Sequence, residues 1–169
     1  MTRRLIAAFT VALLGGLTLH ALARGADPTP TIRLPLISNS QTKEILISAL
    51  FYDGFVSGEA DEAFQIFNPN DFSVALEGWQ ASSGSRIATF PAGPALAPQG
   101  SLWCAREAVA FQKSFGALPG CEYGADTDPG TPNLKGSVLQ FANTGGRLVL
   151  SRPGGEVSDV LFYEEGDEA

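Results

Sequence analysis

The sequence predicts an all-β sandwich with one short helix inserted near residues 106–115. Two observations carry this. Seven or more short apolar stretches follow one another between Gly, Pro, Asn and Asp turns, the pattern of strands rather than helices. One stretch alone, Ala105 to Phe115, departs from it, with Phe111 and Phe115 spaced i,i+4 on a helical face. No internal repeat is visible, which sets aside solenoids and propellers. The 169 residues are 44% hydrophobic, enough for one core in a domain of roughly 120 residues.

The first stretch reads as an export signal rather than as part of the fold. Arg3 and Arg4 precede an uncharged apolar run from Leu5 to Leu19, and Ala21-Leu22-Ala23 is an A-x-A cleavage site. An uncleaved membrane anchor is the competing reading. The run is about 15 residues, short of the roughly 20 that span a bilayer. Cleavage between Ala23 and Arg24 is therefore expected, giving a secreted or cell-surface product with no membrane span. Residues 24–43 hold Pro28, Pro30 and Pro35 and read as an extended tether.

The globular part is expected over residues 44–163. Glu44 to Phe51 suits a buried strand, and Gly54 and Gly58 bracket a loop. Ala63 to Asn68 alternates, with Phe64 and Ile66 inward. Val74-Ala75-Leu76 and Trp79-Gln80-Ala81 read as two pieces kinked at Gly78. Ile87 to Phe90 and Ser101 to Cys104 are further strands, and Gly116 ends the helix. After an irregular segment from Pro119 to Asn133, strands are expected at Val138–Phe141, Leu148–Ser151 and Val157–Tyr163. Asn143 to Gly146 and Arg152 to Gly155 are the hairpin turns between them. Residues 164–169 form an acidic tail.

Charge and composition exclude several function classes. Loss of Arg3 and Arg4 lowers Lys plus Arg from 11 to 9 against 18 acids, so the mature charge is −9. Nucleic acid is not an expected partner, because its phosphates need clustered cations. His20, in the leader, is the chain's single histidine. The mature chain thus has no Ser-His-Asp or Cys-His machinery, no His-containing zinc site and no imidazole general base. Cys104 and Cys121 are an even pair in an exported chain, which favours a disulfide over two buried thiols.

Candidate sites remain. Glu59, Asp61 and Glu62 cluster before a strand and supply the oxygen ligands Ca²⁺ prefers. No EF-hand spacing surrounds them, and a solvated loop is the preferred reading. Asp126 and Asp128, with Glu122, are a second candidate cation set, for which Asx-turn chemistry is preferred. No cofactor is expected beyond such a Ca²⁺ ion. Trp79, Trp103 and Tyr123 are candidates for a carbohydrate-stacking platform. Trp79 and Trp103 are expected in the core and Tyr123 at the surface. A carboxylate-dependent hydrolase needs two acids fixed across a cleft, and no spacing here positions such a pair.

The order of motifs resembles the lamin tail domain. Ile45 to Phe51 resembles its opening strand, and Asp61 to Asn68 its acidic entry, alternating strand and terminal Asn. Leu76-Glu77-Gly78-Trp79 resembles its Leu-x-Gly-Trp turn. Phe90-Pro91 and Leu96-Ala97-Pro98-Gln99-Gly100 resemble its strand, loop and Pro-x-Gly corner. Asn143-Thr144-Gly145-Gly146 with Leu148 and Leu150, then Asp159 and Tyr163, resembles its closing hairpin. The resemblance implies an immunoglobulin-like β-sandwich without catalytic residues. Its expected role is an exported binding or attachment module for a protein or cell-surface ligand. Bacterial domains of this kind often sit beside secreted enzymes, and this one is similar to those preceding phospholipase-D-like domains. The alternative is thus an accessory N-terminal domain of a truncated secreted phosphodiesterase, and a carboxylate-dependent hydrolase ranks last. The stretch from Arg106 to Lys135 departs from the family pattern.

Overall fold

The computed structural model describes residues 44–164. The leader over 1–23, its cleavage site at Ala23 and Arg24, the tether over 24–43 and residues 165–169 lie outside the described residues. Two sheets pack face to face as a β-sandwich. The first has the order β1 (Leu46–Phe51), β2 (Ala63–Phe67), β7 (Ser101–Ala105), β8 (Cys121–Glu122). The second has the order β11 (Val157–Glu164), β10 (Gly145–Ser151), β4 (Gln80–Ser83), β5 (Arg86–Thr89), β9 (Lys135–Gly136). A two-stranded ribbon of β3 (Val74–Ala75) and β6 (Ala95–Leu96) lies beside them. All pairings are antiparallel except β7 with β8.

Alternation in β2 sets which face is inside. Phe64 and Ile66 are fully buried and lie opposite Cys104 and Leu102 of β7. Ile45, Ile47, Phe64 and Ile66 of the first sheet meet Ala81, Ala88, Leu148 and Leu150 of the second. Leu76, Trp79, Phe90 and Phe141 fill the same core from the connections. Burial of each large side chain stabilises by about 1.5–3 kcal/mol. The edges of the two sheets are tied by polar contacts. At the β-bulge after Ile47, its N–H donates to Asp159 Oδ2 at 2.7 Å, and Ser158 Oγ donates to the Ile45 carbonyl at 3.0 Å.

The kink at Gly78 is present, with φ 77°. The Gly78 N–H donates to the Phe90 carbonyl, and the turn swings the chain from β3 into β4. The segment Val138–Phe141, in contrast, is not a strand. Gly136, with φ 115°, turns the backbone out of the ladder after two residues of β9. Beyond it the chain is held by Ser83 Oγ on the Gln140 carbonyl and Arg86 Nη1 on the Val138 carbonyl. Leu139 and Phe141 still reach the core, so burial there does not report a ladder. The turn over Asn143 to Gly146 therefore feeds β10 without closing a hairpin. Arg152 to Gly155 does close one, between β10 and β11. Glu164 ends β11 opposite Gly145 rather than opening a tail.

Helix α1 (Ala108–Phe115) interrupts the sandwich between β7 and β8. Phe111 and Phe115 stack at 4.5 Å, as the i,i+4 spacing requires. Gly116 closes the helix in the left-handed region, its N–H on the Gln112 carbonyl. The N-terminus is capped from elsewhere, because Glu107 makes no side-chain cap. Glu122, fully buried, accepts the Ala108 N–H at 2.8 Å, and Thr127 Oγ1 accepts that of Val109 at 3.2 Å. One residue before Glu122, Cys121 lies directly opposite Cys104 in the parallel ladder, and the two form a disulfide with Cα atoms 4.5 Å apart.

Two stability changes are expected. Cys104→Ala with Cys121→Ala lowers the unfolding free energy by about 3 kcal/mol, the loop-closure value for a ring of this length. Urea titration of the double variant measures it. Glu122→Gln costs roughly 2–3 kcal/mol, since it leaves buried backbone donors short of acceptors. Faster hydrogen exchange at Ala108 and Val109 distinguishes lost capping from general loosening.

Candidate functional site

Two features stand out, a polar cleft and an aromatic face. The cleft forms where the turn before β2, the β4–β5 hairpin, the segment after Val138 and the end of β7 meet. Glu62 immediately precedes β2. Its carbonyl accepts the Arg106 N–H at 2.7 Å and the Tyr123 hydroxyl at 3.1 Å, which fixes the backbone. Glu59 sits three residues earlier in a left-handed conformation, φ 57°, and its carbonyl accepts the Glu62 N–H. This tight turn sets the Glu59 carboxyl where its charge acts on that of Glu62. Asn143 Nδ2 donates to Glu59 Oε1 at 2.9 Å.

Glu62 is 1% exposed. Its Oε2 makes no hydrogen bond and lies 3.5 Å from Arg106 Nη1. Burial first, then the neighbouring Glu59 carboxyl, push its pKa from 4.5 up to about 8, against the opposing pull of Arg106 and of the Phe141 backbone. The cleft has a volume of about 440 Å³ and is lined by Glu59, Glu62, Arg86, Arg106, Gln140 and the Gly84 turn.

The structure separates the acids that the sequence groups. Asp61 turns away from Glu59 and Glu62. Its carboxylate accepts the N–H groups of Phe55 and Val56, both at 3.1 Å, and the Ser114 hydroxyl at 2.5 Å, which ties the loop to α1. In the second set Asp126 is exposed, and Asp128 accepts the Thr131 hydroxyl at 2.6 Å. Glu122 is occupied by Ala108, Thr127 and Asp128 donors. No group of three or more His, Cys, Asp or Glu able to hold a metal occurs among the described residues.

Two aromatic expectations need correction. Tyr123 is 2% exposed and packs in the core against Phe64 and Phe141, because its hydroxyl finds the Glu62 carbonyl there. Trp103 is half-buried on the outside of the first sheet rather than in the main core, since it alternates with Cys104. Trp79 is in the core.

The outer face around Trp103 is the second feature. Ala63, Ala105 and Phe111 pack with it under α1. Phe115 stacks on Trp103 at 6.4 Å and meets Phe51 edge-on at 5.0 Å, and Phe51 meets Phe55 at 5.2 Å. Phe55 is 77% exposed and Phe115 and Leu118 are each 45% exposed. The i,i+4 pair in α1 was readable from the sequence. That Trp103 and Phe55 extend it into one surface was not, because the contacts cross three elements.

No protein-family model matches the chain, and no curated protein does. The crystal structure of a DUF4876 family protein from Bacteroides thetaiotaomicron VPI-5482 is similar in fold, with a TM-score of 0.52 and 15% sequence identity. The match covers 66% of this chain and 43% of that protein. At this identity the likeness is one of fold alone.

The raised pKa of Glu62 has a definite sign in stability. Between pH 4.5 and about 8 the unfolded chain releases this proton and the folded chain keeps it. Stability is therefore full below pH 4.5 and falls by up to about 1.4 kcal/mol per pH unit as pH rises towards 8. Glu62→Gln, neutral throughout, is expected to flatten this slope. Urea midpoints at pH 5, 6, 7 and 8 for both proteins provide the comparison.

Proposed function

We propose that the domain is a non-catalytic, exported binding and attachment module of the lamin-tail type, with the aromatic face as its contact surface. The observation that carries this reading is the exposed pair Phe55 and Phe115, linked through Phe51 and backed by Trp103. Contiguous exposed aromatic surface on a soluble fold marks an interaction site. Here it is held rigid by a helix anchored at both ends.

The lamin-tail part of the reading is supported by where the motif residues fall. Asn68 ends β2 and donates from Nδ2 to the Phe72 and Leu96 carbonyls, while its Oδ1 accepts the Asn70 N–H. Gly78-Trp79 makes the kink into β4, and Gly100 starts the corner into β7. Asp159 ties the sheets together. Asn68, Gly78 and Gly100 lie at the ends or turns of strands, and Asp159 lies within β11. The disulfide, and the absence among the described residues of a helix long and apolar enough to cross a membrane, fit an extracellular location.

Sedimentation with bacterial cell envelopes tests the proposal. The full chain is expected to co-sediment, and Phe55→Ser with Phe115→Ser is expected to cut the bound fraction about fivefold, near 1 kcal/mol. Phosphodiester and glycoside substrates are expected to stay intact. Turnover of either substrate, or unchanged sedimentation of the double variant, overturns the reading.

A further inference from the structure

The polar cleft is separate from the aromatic face and needs its own explanation. Three observations define what it can hold. The first is an unmet acceptor. Glu62 Oε2 is buried, lines the cleft and has no hydrogen-bond partner. Leaving such an atom unsatisfied costs about 1–3 kcal/mol, and a donor arriving from outside removes that cost.

The second is charge balance. Glu59, Glu62 and Arg106 form one contiguous group. With both carboxyls ionised the group carries one net negative charge. The proton that burial favours on Glu62 balances it. A singly charged cationic group can take that proton's place. A divalent ion would leave an excess positive charge beside the Arg106 guanidinium.

The third is Arg86. It leaves the β4–β5 hairpin, lines the same cleft and makes no ion pair among the described residues. Its Nη1 donates to the Val138 carbonyl at 3.3 Å, which leaves other donors of the guanidinium fork for an anion.

We propose that this cleft binds a small zwitterion, its ammonium group between the Glu59 and Glu62 carboxyls and its carboxylate on Arg86. A volume of about 440 Å³ suits a molecule of amino-acid size. Ammonium N–H groups satisfy Glu62 Oε2, and the two opposite charges of the ligand cancel those of the walls. Binding expels the Glu62 proton. The titratable and charged groups facing Glu62 are Glu59, Arg106, Tyr123 and Tyr163.

Calorimetric titration of the full chain at pH 8 tests this, with glycine and 6-aminohexanoate as zwitterions. n-Butylammonium, butyrate and calcium chloride are separate arms. One zwitterion is expected to bind at least about tenfold more tightly than either single-charge probe. Arg86→Leu is expected to erase that advantage, so that the zwitterion binds no more tightly than n-butylammonium. Glu62→Gln is expected to lose both. At pH 6 the affinity is expected to fall, because burial holds the proton on Glu62 there and the ammonium group must displace it. Buffer-dependent heat reports the released proton. Thermal melting checks the fold of each variant, and Glu59→Gln repeats the test should Glu62→Gln fail to fold. The proposal is overturned by absence of zwitterion heat, by calcium binding in preference, or by binding that survives both carboxyl substitutions. None of these outcomes bears on envelope sedimentation, which reads the other surface.

Discussion

A single buried carboxylate, that of Glu122, holds the part of the molecule on which both candidate surfaces depend. The chain leaves the first sheet at Ala105 and returns at Cys121 beside the same strand, running parallel to it. Such an excursion strands backbone N–H groups with no sheet to receive them. Glu122 receives those of Ala108, Thr127 and Asp128 as well as the Thr127 hydroxyl. Its position at the start of α1 also sets a negative charge against the positive end of the helix dipole. With the helix start fixed, Phe111 and Phe115 land on Trp103. The flanking residue Tyr123 enters the core and reaches the Glu62 carbonyl, and Arg106 is left facing Glu62. The disulfide one residue earlier constrains the same return, by covalent means rather than by hydrogen bonding.

The acids show how position, not residue type, decides what a carboxylate does. Asp61 and Glu62 are adjacent and both buried. Asp61 meets three donors and becomes part of the scaffold. Glu62 meets a guanidinium at 3.5 Å and another acid, and burial raises its pKa to about 8. Side chains of neighbouring residues leave the backbone in different directions, so an acidic run in a sequence is a poor guide to a shared site. The same reasoning separates Asp128, used locally by Thr131, from the exposed Asp126.

The sandwich was legible because strands report their faces every second residue. Phe64 and Ile66 point inward as the alternation of β2 requires, and the Gly78 kink falls where the pattern breaks. Val138–Phe141 misleads because an apolar run reports burial and not pairing, and a single glycine at 136 takes the backbone out of register. Tyr123 misleads for a related reason. It lies in an irregular segment, yet a hydrogen-bond acceptor inside the core draws it there. The cleft was illegible altogether. Glu59 and Glu62 come from one turn, Arg86 from a hairpin, Arg106 from a strand end and Gln140 from a connection. No periodicity links segments so far apart, and only the packing of the two sheets brings them together.

Two local costs coincide at that cleft, and neither is required by the fold. Glu59 adopts a left-handed backbone that glycine would adopt about 1–2 kcal/mol more cheaply. Glu62 keeps a carboxyl whose charged form is disfavoured and whose Oε2 is unsatisfied. A purely structural role at position 62 would be served as well by glutamine, which matches the shape, never ionises and carries its own donors. Arg106 does not change this, since its pairing with Glu62 is long and its Nη1 also donates to the Gly58 carbonyl. Strain and an unmet acceptor side by side, in a cleft whose Arg86 makes no ion pair among the described residues, are the pattern of a site whose missing partner arrives from solution. The energy lost there is small beside that gained from a continuous core between two sheets, which lets the domain keep a binding cleft at one end of the sandwich without weakening the fold that shapes it.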